Sequence, residues 1–234
     1  MKQVLITGAS SGIGAELAIL LAEHGYELVL TARREHLLRE LAVKCEEMGA
    51  LRTDVLVGDI EDISRSSKLP DLLRGEGEIV LVNNAGIAAF GDFATSSIGA
   101  NEEQMAKNLL GPMAMTRAVL PLMLAGKSGL VVNVLSVAAR TVFPGTAVYG
   151  ASKAGLMQFG NVVREEYRRQ GIRVTNVFPG ATDTPIWGSD AAVGPPREKM
   201  LRSKAVAEAI AGVIALPVDR VVEEMVITPP DGVL

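Results

Sequence analysis

The chain has 234 residues, of which 48% are hydrophobic and 4% aromatic, and its formal net charge is −4. This content is enough for a substantial core and excludes a disordered chain, while the mixed charges and scarce aromatics give no basis for nucleic-acid binding. Cys45 is the single cysteine, which excludes a disulfide framework or thiolate cluster, and His24 and His36 lack metal-ligand spacing, so no metal site is predicted.

The first predicted element is a buried strand, Lys2–Thr7, whose apolar run is too short for a signal peptide. A glycine-rich turn, Gly8-Ala9-Ser10-Ser11-Gly12-Ile13-Gly14, and a helix ending near Gly25 follow it. Glycine permits close approach of the backbone, and a helix N-terminus offers free N–H groups, so the turn can cradle a phosphate. An ordinary strand-to-helix connection is the alternative. No later stretch is predicted to span a membrane, and a cytoplasmic protein is expected.

The second predicted strand, Glu27–Thr31, leads into Arg33 and Arg34, and a helix then runs through Met48. In a dinucleotide-binding fold, the end of the second strand faces the adenosine ribose. An acidic residue there suits a free 2′-hydroxyl, whereas arginine suits a 2′-phosphate. With the glycine-rich turn, this pair favours NADP(H) over NAD(H); a solvated basic loop is the alternative.

Two further strands are predicted before the middle of the chain. Thr53–Val57 runs into Gly58–Ile60, and one short helix is predicted over roughly Ile63 to Leu73. Glu78–Val82 reads as a strand buried on both faces and ends in Asn83–Gly86, where two amides and a glycine can hold a turn beside a ligand. A plain strand-ending turn is the competing interpretation.

A long helix is predicted from about Asn101 through Leu124, with Asn108 in its middle. An amide is unfavourable inside a helix unless it has a partner, so Asn108 is a candidate functional residue, with an exposed Asn as the alternative. The fifth strand, Leu130–Leu135, delivers Ser136 at its carboxyl end, where α/β sheets place ligands.

Tyr149-Gly150-Ala151-Ser152-Lys153 opens a helix predicted to run to about Gln170. Residues four apart share a helix face, so the ammonium of Lys153 is expected near the phenol oxygen of Tyr149. A free phenol has a pKa of about 10, and a nearby positive charge lowers it, which makes the phenol a usable general acid or base. A surface Tyr–Lys pair is the alternative, and the spacing by itself favours that alternative.

The last third of the chain is predicted to contain a sixth strand, Ile172–Phe178, a helix around Val206–Leu216 and a final strand, Met225–Thr228. Between them, Pro185–Lys199 holds the only tryptophan, Trp187, and is predicted to be a flexible substrate loop. Strands alternate with helices throughout without a composition break. The prediction is an α/β fold, a single Rossmann-type domain over 1–234 with a doubly wound, mostly parallel sheet of about seven strands.

Seven short motifs in this order resemble those of the short-chain dehydrogenase/reductase family over nearly the whole length. They are T-G-A-S-S-G-I-G at Thr7–Gly14, G-D-I at Gly58–Ile60, N-N-A-G at Asn83–Gly86, Asn108 in K-N-L-L-G, Ser136, Y-G-A-S-K at Tyr149–Lys153 and P-G-A-T-D-T at Pro179–Thr184. The chain is short for the fuller pattern, which leaves substrate size and assembly open.

The resemblance implies a catalytic set of four residues. Tyr149 would be the proton donor or acceptor, and Lys153 would lower its pKa and bind the nicotinamide ribose. Ser136 would polarise the carbonyl, and the helix backbone at Asn108 would hold a relay water.

The resemblance also implies contacts with a nicotinamide dinucleotide. Asp59 would meet the adenine amino group, Ile60 would cover the ring, and Asn84–Gly86 would pass beneath the adenosine-side ribose. Thr184 and the backbone near Thr182 would fix the carboxamide. The full set of expected cofactor contacts is Gly8, Ser10, Ser11, Gly12, Ile13, Gly14, Arg33, Arg34, Asp59, Ile60, Asn84, Ala85, Gly86, Tyr149, Lys153, Pro179, Gly180, Thr182 and Thr184.

The expected activity is NADP(H)-dependent oxidation and reduction of a small or medium alcohol/carbonyl pair. The residues predicted to contact the substrate are Ser136 and Tyr149, with Ile87, Val137, Val142, Phe143 and Trp187 as the apolar wall. A homodimer or homotetramer is expected from the resemblance and from the apolar long helix. The alternative is a cofactor-binding regulator without turnover, which the intact catalytic set disfavours.

Overall fold

The computed structural model describes residues 2–73, 77–188 and 194–232. The strands in chain order are β1 (Lys2–Thr7), β2 (Glu27–Ala32), β3 (Arg52–Val57), β4 (Glu78–Asn83), β5 (Gly129–Val134), β6 (Ile172–Pro179), β7 (Thr182–Asp183), β8 (Leu201–Arg202) and β9 (Glu224–Ile227). The helices are α1 (Gly12–Glu23), α2 (Glu35–Glu47), α3 (Ile60–Ser64), α4 (Leu69–Leu72), α5 (Ile98–Met105), α6 (Gly111–Ala125), α7 (Ala147–Tyr167) and α8 (Ser203–Ala215).

Seven strands form one parallel sheet in the order β3-β2-β1-β4-β5-β6-β9, which confirms the predicted Rossmann-type architecture. The central strands are Val-, Ile- and Leu-rich because both of their faces are covered by helices. Alternate residues of β1 belong to two different hydrophobic cores. Val4 and Ile6 pack with α1 and α8 in one core, and Leu5 packs with α6 in the other. The strand order reverses between β1 and β4, so the carboxyl ends of the strands open a crevice there.

The single helix predicted over Ile63–Leu73 is wrong, since α3 and α4 are separate short helices. Pro70 lies in the first turn of α4. Proline lacks an N–H and is tolerated in a first helical turn but not in a helix interior, so a new helix begins there. The small parallel pair of β7 with β8 is a further element that the sequence pattern did not predict.

The predicted long helix forms, but it contains a π-helical turn at Ala106–Leu110. Pro112 cannot donate the α-helical bond to the carbonyl of Asn108, four residues earlier, and the backbone widens at this point. The continuous helix Ile98–Ala125 has 28 residues, and its most apolar 18-residue window has a mean hydropathy of 1.2, so by length and composition alone it could cross a membrane. Core helices of globular domains meet the same criterion, and Met115, Val119 and Met123 of α6 are buried in the core.

The predicted substrate loop, Pro185–Lys199, lies partly outside the described residues, which exclude 189–193. Its described flanks are two short 3₁₀ turns, Pro185–Trp187 and Arg197–Lys199. Arg197 donates to the Asp183 carboxylate at 3.0 Å, to the Thr184 carbonyl at 3.2 Å and to the Gly188 carbonyl at 3.2 Å. One side chain therefore joins the two flanks of the loop.

Candidate active site

A cleft of about 1220 Å³ runs along the carboxyl ends of the strands. The loops that follow β1, β2, β4, β5 and β6 line it, as the switch point of the sheet requires. Every predicted cofactor contact except Gly14 lines this cleft. The cleft therefore joins chain segments that are far apart in sequence.

The glycine-rich turn has the backbone of a phosphate cradle. Gly8 and Gly12 have positive φ angles of 67° and 58°, which side chains rarely adopt. A Cβ at Gly8 would lie 2.8 Å from the Cα of Ala85, so the turn also packs tightly on the loop after β4. Helix α1 begins here with no side-chain cap and no acid in its first turn, which leaves its N–H groups available to an anion.

Gly14 does not line the cleft, and its cofactor contact stays a prediction. A Cβ at this position would lie 2.6 Å from Nδ2 of Asn84, and Gly14 is needed for packing between α1 and that side chain. Nδ2 of Asn84 in turn donates to the carbonyl of Thr7 at 2.9 Å. The hydroxyl of Thr7 accepts the N–H groups of Asn84 and Ala85, both at 3.0 Å. Thr7 thus holds the ends of β1 and β4 together beneath the cleft.

The two arginines after β2 lie at the opposite end of the cleft from Tyr149. Nη2 of Arg34 donates to Oγ of Ser10 at 2.8 Å and to Oγ of Ser11 at 2.7 Å, which places a guanidinium on the glycine-rich turn. Arg33 is exposed and also lines the cleft. Guanidinium, hydroxyl and backbone N–H donors together match the oxygens of a phosphate.

Asp59 is paired with Lys107, a cleft residue that was not predicted from the sequence; Nζ lies 2.7 Å from the carboxylate. Burial raises the pKa of Asp59, but the hydrogen bond and charge of Lys107, together with the charge of Arg33, reverse this and leave the pKa below its ordinary value. The carboxylate is therefore ionised and held in the cleft by Lys107; its contact with an adenine stays a prediction.

Tyr149 and Ser136 both line the cleft, and their side chains interact where its two halves meet. Burial raises the pKa of Tyr149, and the hydrogen bond from Ser136 opposes that shift only in part. The predicted lowering by Lys153 is therefore not observed in this structure. Nζ of Lys153 donates to the carbonyl of Val134 at 2.9 Å and lies 5.8 Å from the centroid of the Tyr149 ring. Burial lowers the pKa of Lys153 itself to about 8.

Asn108 is fully buried behind these residues and acts through its side chain. Its Oδ1 accepts the Ile87 N–H at 2.8 Å, and its Nδ2 donates to the Ile87 carbonyl at 2.8 Å and to Oγ of Ser152 at 3.2 Å. The Ser152 hydroxyl donates to the carbonyl of Tyr149 at 2.7 Å. Asn108 thus connects the loop after β4 to the first turn of α7; the relay-water role stays a prediction.

An aromatic group forms the wall of the cleft beyond Tyr149. Phe90 stacks on Trp187 with centroids 5.1 Å apart and planes at 20°, and it meets the Tyr149 ring edge-on at 5.7 Å. Ile87, Val137 and Phe143 line the cleft as predicted.

Val142 does not line the cleft. Its side chain is 92% exposed, and its substrate contact stays a prediction. Its neighbour Phe143 lines the cleft.

Phe90 was missed from the sequence, although an aromatic residue four positions after the N-N-A-G motif, in a chain with 4% aromatics, was an available signal. Lys107 was also missed; its position directly before Asn108 could have drawn attention to it.

The family model of short chain dehydrogenases matches residues 2–192. The chain belongs to the short-chain dehydrogenase family. An uncharacterized oxidoreductase of Staphylococcus saprophyticus is 33% identical over 233 residues, covering 97% of each chain. An NADP-dependent 3-hydroxy acid dehydrogenase of Schizosaccharomyces pombe is 37% identical over 187 residues, covering 78% of this chain and 72% of that protein.

The fold of this short-chain dehydrogenase is also found among solved structures. The alcohol dehydrogenase of the archaeon Thermococcus sibiricus, complexed with 5-hydroxy-NADP, superposes with a TM-score of 0.86 at 30% identity and covers 98% of this chain and 97% of that one. The protein is thus an oxidoreductase of the dehydrogenase/reductase class, as the motifs predicted.

Proposed function

We propose that this short-chain dehydrogenase interconverts a carbonyl compound and its alcohol with NADP(H), and that Tyr149 is its general acid or base. The observation that carries the proposal is that a phosphate cradle, an apolar wall, Tyr149 and Ser136 all line one cleft. A dinucleotide held along one half of the cleft would end beside a carbonyl held in the other half. This arrangement supports hydride transfer between the dinucleotide and the carbonyl compound.

NADP(H) is the proposed cofactor because the donor set fits its phosphates. The backbone turn at Gly8 and Gly12 leaves no room for a side chain, and the α1 N-terminus is uncapped. Arg34, held on Ser10 and Ser11, would reach a 2′-phosphate together with the exposed Arg33. The NADP-bound alcohol dehydrogenase and the NADP-dependent hydroxy acid dehydrogenase described above agree with this choice.

The bound nicotinamide supplies the hydride for reduction of a carbonyl and accepts it in the reverse direction. In the reductive direction, the Ser136 hydroxyl and the Tyr149 phenol would both donate to the carbonyl oxygen. Because burial raises the pKa of Tyr149, its phenol carries a proton at neutral pH, and this proton passes to the oxygen as the alcohol forms. Lys153 is proposed to bind the nicotinamide ribose and then to lower the pKa of Tyr149, since its ammonium already lies on the same side of α7.

Asn108 has a positioning role in this scheme, because it fixes Ile87 on one side and Ser152, next to Lys153, on the other. The predicted water behind Lys153 would return the proton to Tyr149. The homodimer or homotetramer and the cytoplasmic location also stay predictions.

The test is steady-state oxidation of NADPH with a panel of aldehydes and ketones, run in parallel with Tyr149→Phe. Carbonyl-dependent oxidation that the variant loses would support the proposal. Clear NADPH binding without turnover on a broad panel would contradict it and favour the regulator without turnover.

A further inference from the structure

We infer that the substrate is an uncharged carbonyl compound with a flat apolar body, not an organic acid. This inference rests on the proposed function and specifies its substrate class. It also separates this enzyme from the 3-hydroxy acid dehydrogenase that it resembles, whose substrate carries a carboxylate.

The part of the cleft that lies beyond Tyr149 from the glycine-rich turn is called the substrate half. Its described lining is mainly apolar and contains no lysine or arginine. Its principal residues are Phe90, Val137, Phe143, Pro144, Ile186 and Trp187. The basic residues of the cleft lie elsewhere. Arg33, Arg34 and Lys107 surround the ends of β2 and β3, on the other side of the switch point. Lys153 is 5% exposed, and its ammonium is engaged by the carbonyl of Val134.

Two arginines come near the substrate half but are committed to other partners. Nη2 of Arg140 lies 2.5 Å from the Glu224 carboxylate, and its guanidinium covers the ring of Phe178 at 3.8 Å. Arg197 is bound by the Asp183 carboxylate and two carbonyls, as described above. Residues 189–193 read Ser-Asp-Ala-Ala-Val and contribute no basic residue. A substrate carboxylate would therefore lose its water in this half of the cleft without gaining a counterion, which is costly.

The aromatic wall gives the expected shape of the substrate. Because Phe90 and Trp187 stack face to face at 20°, each ring covers one face of the other, and only their outer faces and edges remain for a substrate. The Trp187 indole N–H donates to the carbonyl of Thr182 at 2.9 Å, so its polar atom is satisfied and its exposed surface is apolar. A Cβ at Gly194 would lie 2.5 Å from the indole, so the chain packs closely against that ring. Such a surface favours a planar apolar group beside the reacting carbonyl.

The experiment compares ketones that differ only in charge or only in flatness. Methyl para-acetylbenzoate and para-acetylbenzoate form the aromatic pair, and methyl levulinate and levulinate form the aliphatic pair. The first readout is kcat/KM with NADPH. The second is fluorescence quenching of Trp187, which is the only tryptophan in the chain and reports binding without turnover.

Each ester is expected to exceed its acid in kcat/KM by at least about tenfold, a difference of about 1.4 kcal/mol. Saturable quenching of Trp187 is expected with the esters at concentrations where the acids give none. Turnover in which an acid equals or exceeds its ester would overturn the inference and leave the oxidoreductase function standing. Selective quenching by the esters without any turnover would support the binding preference while overturning the proposed function. If neither ester gave turnover or quenching, the substrate inference and the proposed function would both be overturned.

Phe90→Leu tests the flat wall, with Val218→Leu as the control, because Val218 is 63% exposed and lies outside this cleft. Phe90→Leu is expected to lower kcat/KM for the aromatic ester about three- to tenfold relative to the aliphatic ester, consistent with the loss of an aromatic contact. The control should change neither value. An equal effect of Phe90→Leu on both esters would overturn the preference for a planar body.

Discussion

Gln104 and Asn108 lie one helical turn apart and hold the same loop by its backbone. Oε1 of Gln104 accepts the Ala89 N–H at 2.5 Å, and Asn108 accepts the Ile87 N–H at 2.8 Å. Both amides are fully buried. The loop they hold carries Phe90, so the helix that contains the π turn determines where the aromatic wall stands. Nε2 of Gln104 has no hydrogen-bond partner among the described residues. The bond from the Ala89 N–H to Oε1 is therefore the hydrogen bond by which this buried side chain acts on the loop.

Gln104→Met should destabilise the protein and loosen the aromatic wall, because it removes the acceptor of the Ala89 N–H, which lies at an exposed residue and would then bond to water. The lost hydrogen bond is worth about 0.5–1.5 kcal/mol, measurable as the free energy of unfolding in urea. We also expect KM for aromatic ketones to rise while the Kd for NADPH stays unchanged. Glu103→Gln, on the exposed face of the same helix, is the control. An unchanged KM would mean that Gln104 does not position Phe90.

Tyr149→Phe should lower kcat by about 10² to 10⁴ and leave NADPH binding intact, because it removes only the proton-donating hydroxyl. Single-turnover kinetics and fluorescence titration with NADPH measure the two quantities separately. Tyr167→Phe, near the far end of the same helix, is the matched control and should behave as the wild type. A Tyr149→Phe protein that kept more than half its rate would contradict the assignment of the acid.

The wild-type enzyme should prefer NADPH over NADH by about tenfold to a hundredfold in kcat/KM, since hydrogen bonds to a phosphate are worth about 1.5–3 kcal/mol before solvent screening. Arg33→Asp should reverse the preference, because a carboxylate repels a 2′-phosphate and can accept a bond from a 2′-hydroxyl. Arg34→Ala should weaken NADPH binding by removing the guanidinium from Ser10 and Ser11. Arg39→Asp, an exposed position on α2, controls for net charge. Equal kcat/KM for both cofactors in the wild type would refute this prediction.

Lys153 should make the cofactor-free protein more stable as the pH rises from about 8 to 10.5. Burial lowers the pKa of its ammonium from 10.5 to about 8 in the folded state. Within this window the unfolded chain binds a proton that the folded protein has released, so the free energy of unfolding increases with pH, by up to about 3 kcal/mol. Lys153→Met lacks the titrating group and should lack this increase. The free energy of unfolding in urea of the wild type and of Lys153→Met, measured between about pH 8 and 10.5, checks this prediction. The same pH dependence in both proteins would contradict a lowered pKa of Lys153.

The protein should form a homodimer or a tetramer built from dimers. The side of the long helix facing α7 carries an apolar groove lined by Phe93, Met105, Leu110 and Val148, and Leu110 is 56% exposed. A second copy of the chain would cover this surface. Leu110→Glu should shift the protein to monomer in light scattering at micromolar concentration, whereas Val43→Glu, equally exposed on α2, should not. A monomeric wild type would end this proposal.

The sequence predicted most elements because strand and helix patterns are local. Its errors also have local causes: Pro70 divides a helix that was predicted as one, and Pro112 follows a π turn that periodicity does not reveal. The motif spacing likewise brought Tyr149, Lys153 and Ser136 to one edge of the sheet. What each side chain contacts there was not determined by spacing.

The sequence by itself determined the order of strands and helices, the glycine-rich turn, and the presence of Tyr149 and Lys153 one turn apart on a helix. Hydrogen bonding and hydrophobic periodicity between near neighbours encode these features. Only the tertiary structure decided that Lys153 binds the Val134 carbonyl, that Phe90 stacks on Trp187, and that Val142 faces solvent. These contacts join segments far apart in the chain. They depend on which loops the parallel crossovers bring to the same end of the sheet, and that is a property of the packed fold and not of any single stretch.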